Sequence, residues 1–92
     1  MDRSAAIRER LQQRFAPLEL MVRDDGHLHI GHANEGRGHF AVRVVSAAFA
    51  EHDRVERHRM VYAALGDMMQ KDIHAINITA LTPDEIDQPK TS

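Results

Sequence analysis

The sequence predicts an α+β domain in which a mixed three-stranded sheet carries its helices on one face. Apolar residues recur at helical spacing in two segments, one near the N-terminus and one after residue 53. Three other segments alternate apolar and polar side chains, as expected for strands that are covered on one face. The long helix lies between the second and third strands, and such a crossover is right-handed and makes its two strands parallel.

The first helix is predicted from Ile7, Leu11 and Phe15, which recur at four-residue spacing among arginines and glutamines. Pro17 ends this helix, because proline cannot continue the hydrogen-bond pattern. The period then changes to two, which indicates a strand. The residues of this strand expected to face the core are Leu18, Leu20 and Val22.

Residues 26–38 form a loop that is longer than a two-residue hairpin turn, with four glycines and three histidines. Alternation returns at Phe40, Val42 and Val44, with Arg43 on the other face, and stops near Ser46. The first two strands should therefore pair antiparallel on either side of the loop. Loops of this length usually serve a function.

A single long helix is predicted from about residue 53 to 71, with Asp53 as its N-cap. Its buried side is expected to consist of Val55, Val61, Tyr62, Leu65, Met68 and Met69. Ile76 and Ile78 then begin the third strand, and the run from Thr82 to Glu85 has the cap, proline and acidic first turn of a short terminal helix. We predict one domain over residues 1–88 and a disordered tail over residues 89–92.

Composition excludes several kinds of site. The chain has 92 residues and no cysteine, so it forms no disulfide and binds any metal through His or carboxylate. The formal charge is −2 with all seven histidines neutral, which argues against general nucleic-acid affinity. No apolar run approaches the roughly 20 residues that span a bilayer, so we expect a cytoplasmic protein. No motif pairs a nucleophile with a base, so we do not expect an enzyme.

Several segments together resemble the BolA family. These are HFAVRVVS from His39 to Ser46, RHRMVY from Arg57 to Tyr62, and IHA at residues 73–75, with Phe49, Val55 and Leu65 between them. The resemblance spans most of the chain and implies the type II KH-like topology. A true KH domain clamps nucleic acid with a G-x-x-G loop, whereas this chain has only Gly36-Arg37-Gly38. RNA binding of the KH kind is therefore not expected.

The resemblance implies a role in iron-sulfur chemistry. In BolA-like proteins the His before the last strand, here His74, and a His or Cys in the first interstrand loop ligate a 2Fe-2S cluster. The family's partner, a monothiol glutaredoxin, supplies its cysteine, and bound glutathione supplies another thiol. Counting from the end of the first strand makes His29 the loop ligand, with His27 and His32 as alternatives. The isolated protein is then a monomer or weak dimer that holds no cofactor.

Two other interpretations of the loop histidines remain open. Neutral imidazole binds zinc as well as iron, so His27, His29 and His32 could form a zinc site without a partner. The loop could equally be a solvated, His-rich surface. His74 could likewise be a hydrogen-bonded histidine at the boundary between core and solvent.

The start of the long helix is basic, which motivates an alternative function. Arg54, Arg57, His58 and Arg59 crowd this turn, although a helix dipole makes cations at that end mildly unfavourable. Arginines bind phosphates and guanine edges, and the BolA family includes reputed transcription factors, so DNA binding is the second hypothesis. The structural interpretation of these charges is ion pairing with nearby acids, namely Glu51, Asp53, Glu56 or Asp67.

Overall fold

The computed structural model describes residues 3–25 and 38–86 as an α+β domain. Its elements, in chain order, are α1 (Arg3–Phe15), β1 (Glu19–Asp24), β2 (His39–Val45), α2 (Arg54–Leu65), α3 (Met68–Lys71), β3 (Ala75–Leu81) and α4 (Pro83–Ile86). The sheet has the order β1-β2-β3, with β1 antiparallel and β3 parallel to β2. The predicted fold class is therefore confirmed. In the described ranges, no helix is long and apolar enough to cross a membrane.

The core lies between the sheet and its helices. Ile7 and Leu11 are fully buried and Phe15 is 4% exposed, as the four-residue spacing predicts. The alternate residues Phe40, Val42 and Val44 of β2 meet them from the sheet. α1 and α2 therefore pack together on this face of the sheet.

The prediction of a single long helix over residues 53–71 is wrong in one respect, because the segment forms two helices, α2 and α3. Gly66 ends α2 with φ of +56°, a left-handed conformation that favours glycine. Nη1 of Arg10 in α1 donates a hydrogen bond to the carbonyl of Leu65 at 2.5 Å and satisfies that end of the helix. The predicted cap at the other end is confirmed, since Asp53 and Glu56 form a capping box.

The predicted core face also needs correction at three positions. Val55 and Tyr62 are 58% and 41% exposed, so they do not share the buried side of α2. Val61 and Leu65, four residues apart, carry that side. Leu18 is 72% exposed, because β1 begins only at Glu19 and residue 18 lies outside the alternation.

Side-chain hydrogen bonds fix the chain at the start of α4 and at the end of β2. The backbone N–H of Thr82 donates to Oε1 of Glu85 at 2.7 Å, which begins α4 as the sequence predicts. Ser46, buried at the end of β2, donates its hydroxyl to the Phe15 carbonyl at 2.8 Å and accepts from the Ala48 N–H at 3.0 Å. The predicted tail over residues 89–92 lies outside the described residues.

Candidate functional site

The starts of β2 and β3 lie side by side, because the strands are parallel and His39 pairs with Ala75. The carbonyl of Gly38 accepts hydrogen bonds from the backbone N–H groups of His74 at 2.8 Å and of Ala75 at 3.1 Å. Gly38 has φ of +72°, and a Cβ there would lie 2.7 Å from the Asp72 carbonyl oxygen and 2.9 Å from the His74 nitrogen. Only glycine therefore lets these two backbone segments approach so closely.

This arrangement brings together two histidines that are distant in sequence. The rings of His39 and His74 stack with centroids 5.5 Å apart and planes 15° from parallel. His39 is partly buried and His74 is exposed. The sequence alone points to His74 but not to His39. The signal for His39 is the predicted parallel crossover, which places the first residue of one strand beside the first residue of the other.

The residues that flank positions 26–37 both lie at the starts of β2 and β3. The backbone N–H of Asp25 donates to the carbonyl of His39 at 2.8 Å. Gly38 is the residue whose carbonyl accepts from the His74 backbone. Both attachment points therefore adjoin the two stacked rings. The predicted loop ligands lie outside the described residues, namely His27, His29 and His32.

The two stacked rings are the candidate metal ligands that the described part of the chain offers at the starts of β2 and β3. Within residues 3–25 and 38–86, no group of three or more His, Cys, Asp or Glu side chains is arranged to hold a metal ion. A small cleft of about 180 Å³ beside His74 is also lined by Arg3, Lys71 and Asp72. Arg3 and Asp72 form an ion pair at 3.6 Å across it. The surroundings of His74 thus carry charges of both signs.

At the other end of β3, Arg57 connects α2 to two other elements. Its side chain is 13% exposed and donates hydrogen bonds to the carbonyls of Ala80 at 3.0 Å and His52 at 2.8 Å. The guanidinium also binds both carboxylate oxygens of Glu85, at 2.7 and 3.2 Å. Hydrogen bonds from Arg57, and then from the Thr82 backbone, lower the pKa of Glu85 to about 2. Arg57 is therefore engaged inside the fold.

Arg57 does form an ion pair, as the structural interpretation predicts, but its partner is not one of the expected acids. The acids expected from the sequence lie near α2, whereas the observed partner, Glu85, lies in α4. Of the expected acids, Glu56 lies 3.4 Å from the ring of His52 and Asp67 lies 3.3 Å from Arg10. The His52–Glu56 pair is local, at i,i+4 spacing, whereas the Arg10–Asp67 and Arg57–Glu85 pairs join elements that only the tertiary fold brings together.

The remaining basic residues at the start of α2 fall into two groups. Arg54 and His58 line, together with Arg57, a cleft of about 400 Å³ between the start of α2 and β3. Arg59 is exposed and does not line this cleft. Three of the four residues of the DNA-binding hypothesis therefore share one cleft, and Arg59 lies outside its lining.

Comparisons with known proteins agree on one family. The family model described as BolA-like protein matches residues 11–85. SufE-like protein 1, chloroplastic/mitochondrial, of Arabidopsis thaliana is 40% identical over 92% of this chain, which spans only 25% of that protein. The DNA-binding transcriptional regulator BolA of Haemophilus influenzae is 35% identical over 86% of this chain and 76% of its own length.

A solved structure extends the agreement to three dimensions. BolA1 from Arabidopsis thaliana superposes with a TM-score of 0.83 at 35% identity, over 97% of this chain and 98% of that one. The likeness therefore extends over nearly the whole length of both chains and agrees with the α+β fold described above.

Proposed function

This chain belongs to the BolA-like family, and from that premise we propose that it binds a monothiol glutaredoxin and co-ligates a 2Fe-2S cluster through histidines. Its role is cytoplasmic iron-sulfur cluster trafficking or iron regulation, as an adaptor without catalysis of its own. One observation carries the proposal: His39 and His74 stack at the edge where the segment containing His29 is attached.

The imidazole groups at the starts of β2 and β3 suit such a cluster. Neutral imidazole is a good iron ligand, and the ring of His74 is exposed and can turn toward an ion. Metal–nitrogen bonds are about 2 Å long, so rings with centroids 5.5 Å apart are close enough to serve one site. His74 and His29 are the proposed ligands, with His27, His32 and His39 as alternatives to His29.

The remaining thiolates come from the partner's cysteine and from glutathione, because this chain has no cysteine. Such a cluster would accept or donate one electron, and imidazole in place of thiolate would raise its reduction potential. This chain contributes imidazole and a rigid position for it, which Gly38 fixes through two backbone hydrogen bonds.

Cluster assembly with single histidine variants tests the proposal. The protein is mixed with a glutathione-loaded monothiol glutaredoxin, iron and sulfide, and the visible absorption and circular dichroism of the complex are recorded. His74→Ala should abolish the spectrum of the mixed complex. Among His27→Ala, His29→Ala, His32→Ala and His39→Ala, the one that also abolishes it identifies the second ligand.

His52→Ala is the matched control, because this histidine is at the start of α2 and pairs with Glu56. Its spectrum should equal that of the unchanged protein. Identical spectra and complex stability for His74→Ala and the unchanged protein would contradict the proposal. Zinc titration without a partner tests the alternative of a stand-alone zinc site, which would be lost when His27, His29 and His32 are replaced together.

DNA-binding transcriptional regulation is the second candidate function, and the name of the Haemophilus influenzae relative supports it. Arg54 and Arg59 are exposed, so they could reach phosphates, whereas Arg57 is engaged with Glu85. Affinity for promoter DNA should fall steeply with salt, and Arg54→Ala with Arg59→Ala should weaken it further. Arg57→Ala tests stability as well as binding. No shift of promoter DNA near physiological salt would rule against this function.

A further inference from the structure

β3 is an edge strand, and its outer backbone groups have no strand partner in residues 3–25 and 38–86. The N–H of Ala75 and the carbonyl of Leu81 bond toward β2. Backbone direction alternates along a strand, so the odd-numbered residues of β3 face β2. The residues whose N–H and C=O groups point outward are therefore Ile76, Ile78 and Ala80. Arg57 occupies the outward carbonyl of Ala80.

The side chains of β3 do not protect this edge. The seven residues Ala75–Leu81 contain no charge and no proline, and their register with β2 is unbroken. Edge strands that avoid pairing usually carry charges, prolines or bulges. β1, at the other edge of the sheet, carries Glu19, Arg23 and Asp24. The outer edge of β3 is therefore the one suited to accept another strand.

The cleft of about 400 Å³ lies along this edge, between Ile78–Leu81 and the start of α2. Its two carboxylates are already engaged, because Asp53 caps α2 and Glu85 binds Arg57. Arg54 also lines the cleft and has no ion-pair partner in the part of the chain that the structure describes. The cleft therefore has a cation available for an incoming carboxylate.

We propose that the outer edge of β3 binds an extended acidic segment of a partner protein as a fourth strand. Alternate side chains of an added strand face the helix side of the sheet, and there a Glu or Asp of the segment would meet Arg54 in the cleft. β3 of a second copy has no carboxylate to offer, so charge complementarity favours an acidic partner over a homodimer. This surface is separate from the His39–His74 pair, and the proposal does not depend on cluster binding.

NMR titration of the isotope-labelled protein tests this docking site. The probe is the capped pentapeptide acetyl-Thr-Val-Glu-Val-Thr-amide at millimolar concentration, compared with the same peptide carrying Gln in place of Glu. The amide signals of Ile76, Ile78 and Ala80 should shift, and the Glu peptide should bind about fivefold more tightly. Arg54→Glu should abolish that preference.

Arg59→Glu is the matched control, since it makes the same charge reversal in the same helix outside the cleft. It should keep the preference for the Glu peptide, and thermal melting should show both variants folded. Unmoved signals for the three outward amides, or equal affinity for the two peptides, would overturn the proposal. Shifts that follow protein concentration without peptide would assign the edge to a second copy and overturn it too. So would promoter DNA moving these signals when neither peptide does.

Discussion

Replacing Glu85 by Gln tests how strongly Arg57 holds α4 and the end of β3 against α2. The Arg57 hydrogen bonds lower the pKa of Glu85 from 4.5 to about 2. A shift of that size corresponds to about 3 kcal/mol. Because 37% of the Glu85 side chain is exposed, screening by water reduces the expected contribution to about 1 to 2 kcal/mol. We expect Glu85→Gln to lower the free energy of unfolding by that amount at neutral pH.

The sign of the pH dependence follows from the direction of the shift. The folded state lowers the pKa of Glu85, so its stabilisation is complete above the unfolded value of 4.5. It is lost as the pH falls toward about 2, because the unfolded state then binds the proton more readily. The stability difference between the unchanged protein and Glu85→Gln should therefore shrink across this window.

Urea denaturation followed by far-ultraviolet circular dichroism measures this difference at neutral pH and at several values below 4.5. Asp84→Asn is the control, because Asp84 lies in the same turn of α4 but forms no ion pair within the described residues. This substitution should change stability little. If Glu85→Gln is as stable as the unchanged protein at neutral pH, or if their difference is constant with pH, the role given to Arg57 is refuted.

Three further predictions concern unfolding free energies from urea denaturation. Gly38→Ala should cost about 2 to 3 kcal/mol, because its φ is +72° and the new Cβ would lie 2.7 Å from a backbone oxygen; a loss below about 0.5 kcal/mol would contradict the close approach. Ser46→Ala should cost about 1 to 3 kcal/mol, since it removes the buried hydrogen bond to the Phe15 carbonyl and the part-buried one from the Ala48 N–H. Val61→Ala should cost about 2 kcal/mol and Val55→Ala less than about 0.5 kcal/mol; equal costs would contradict the observed core face.

The order of elements could be predicted from the sequence because it depends on local periodicity. Ile7, Leu11 and Phe15 are one helix face whatever lies opposite, and the strands alternate in the same way. The division of the long helix was also encoded locally, since Gly66 is a helix-ending residue. Val55 and Tyr62 could not be assigned by their apolar character, because α2 has only one side against the core.

The candidate site was predictable only in part, because its contacts join distant segments. His74 could be recognised from the family motif, whereas His39 becomes a candidate only when β2 and β3 are placed side by side. Glu85 likewise becomes the partner of Arg57 only when α4 packs near α2. Such pairings depend on tertiary register, and no spacing rule within one element predicts them.

The carbonyl of Gly38 accepts two backbone hydrogen bonds where β3 begins, beside the start of β2. Sheet backbone is among the last parts of a protein to open, and His74, directly before β3, is tied to it through its hydrogen bond to the Gly38 carbonyl. A cluster bound by His74, as proposed, would therefore cost entropy mainly in ordering its other ligands. If the proposed function is correct, substitutions at the proposed ligand His29 or its alternatives would change binding strength, whereas the hydrogen bonds from the Gly38 carbonyl would keep the sheet stable.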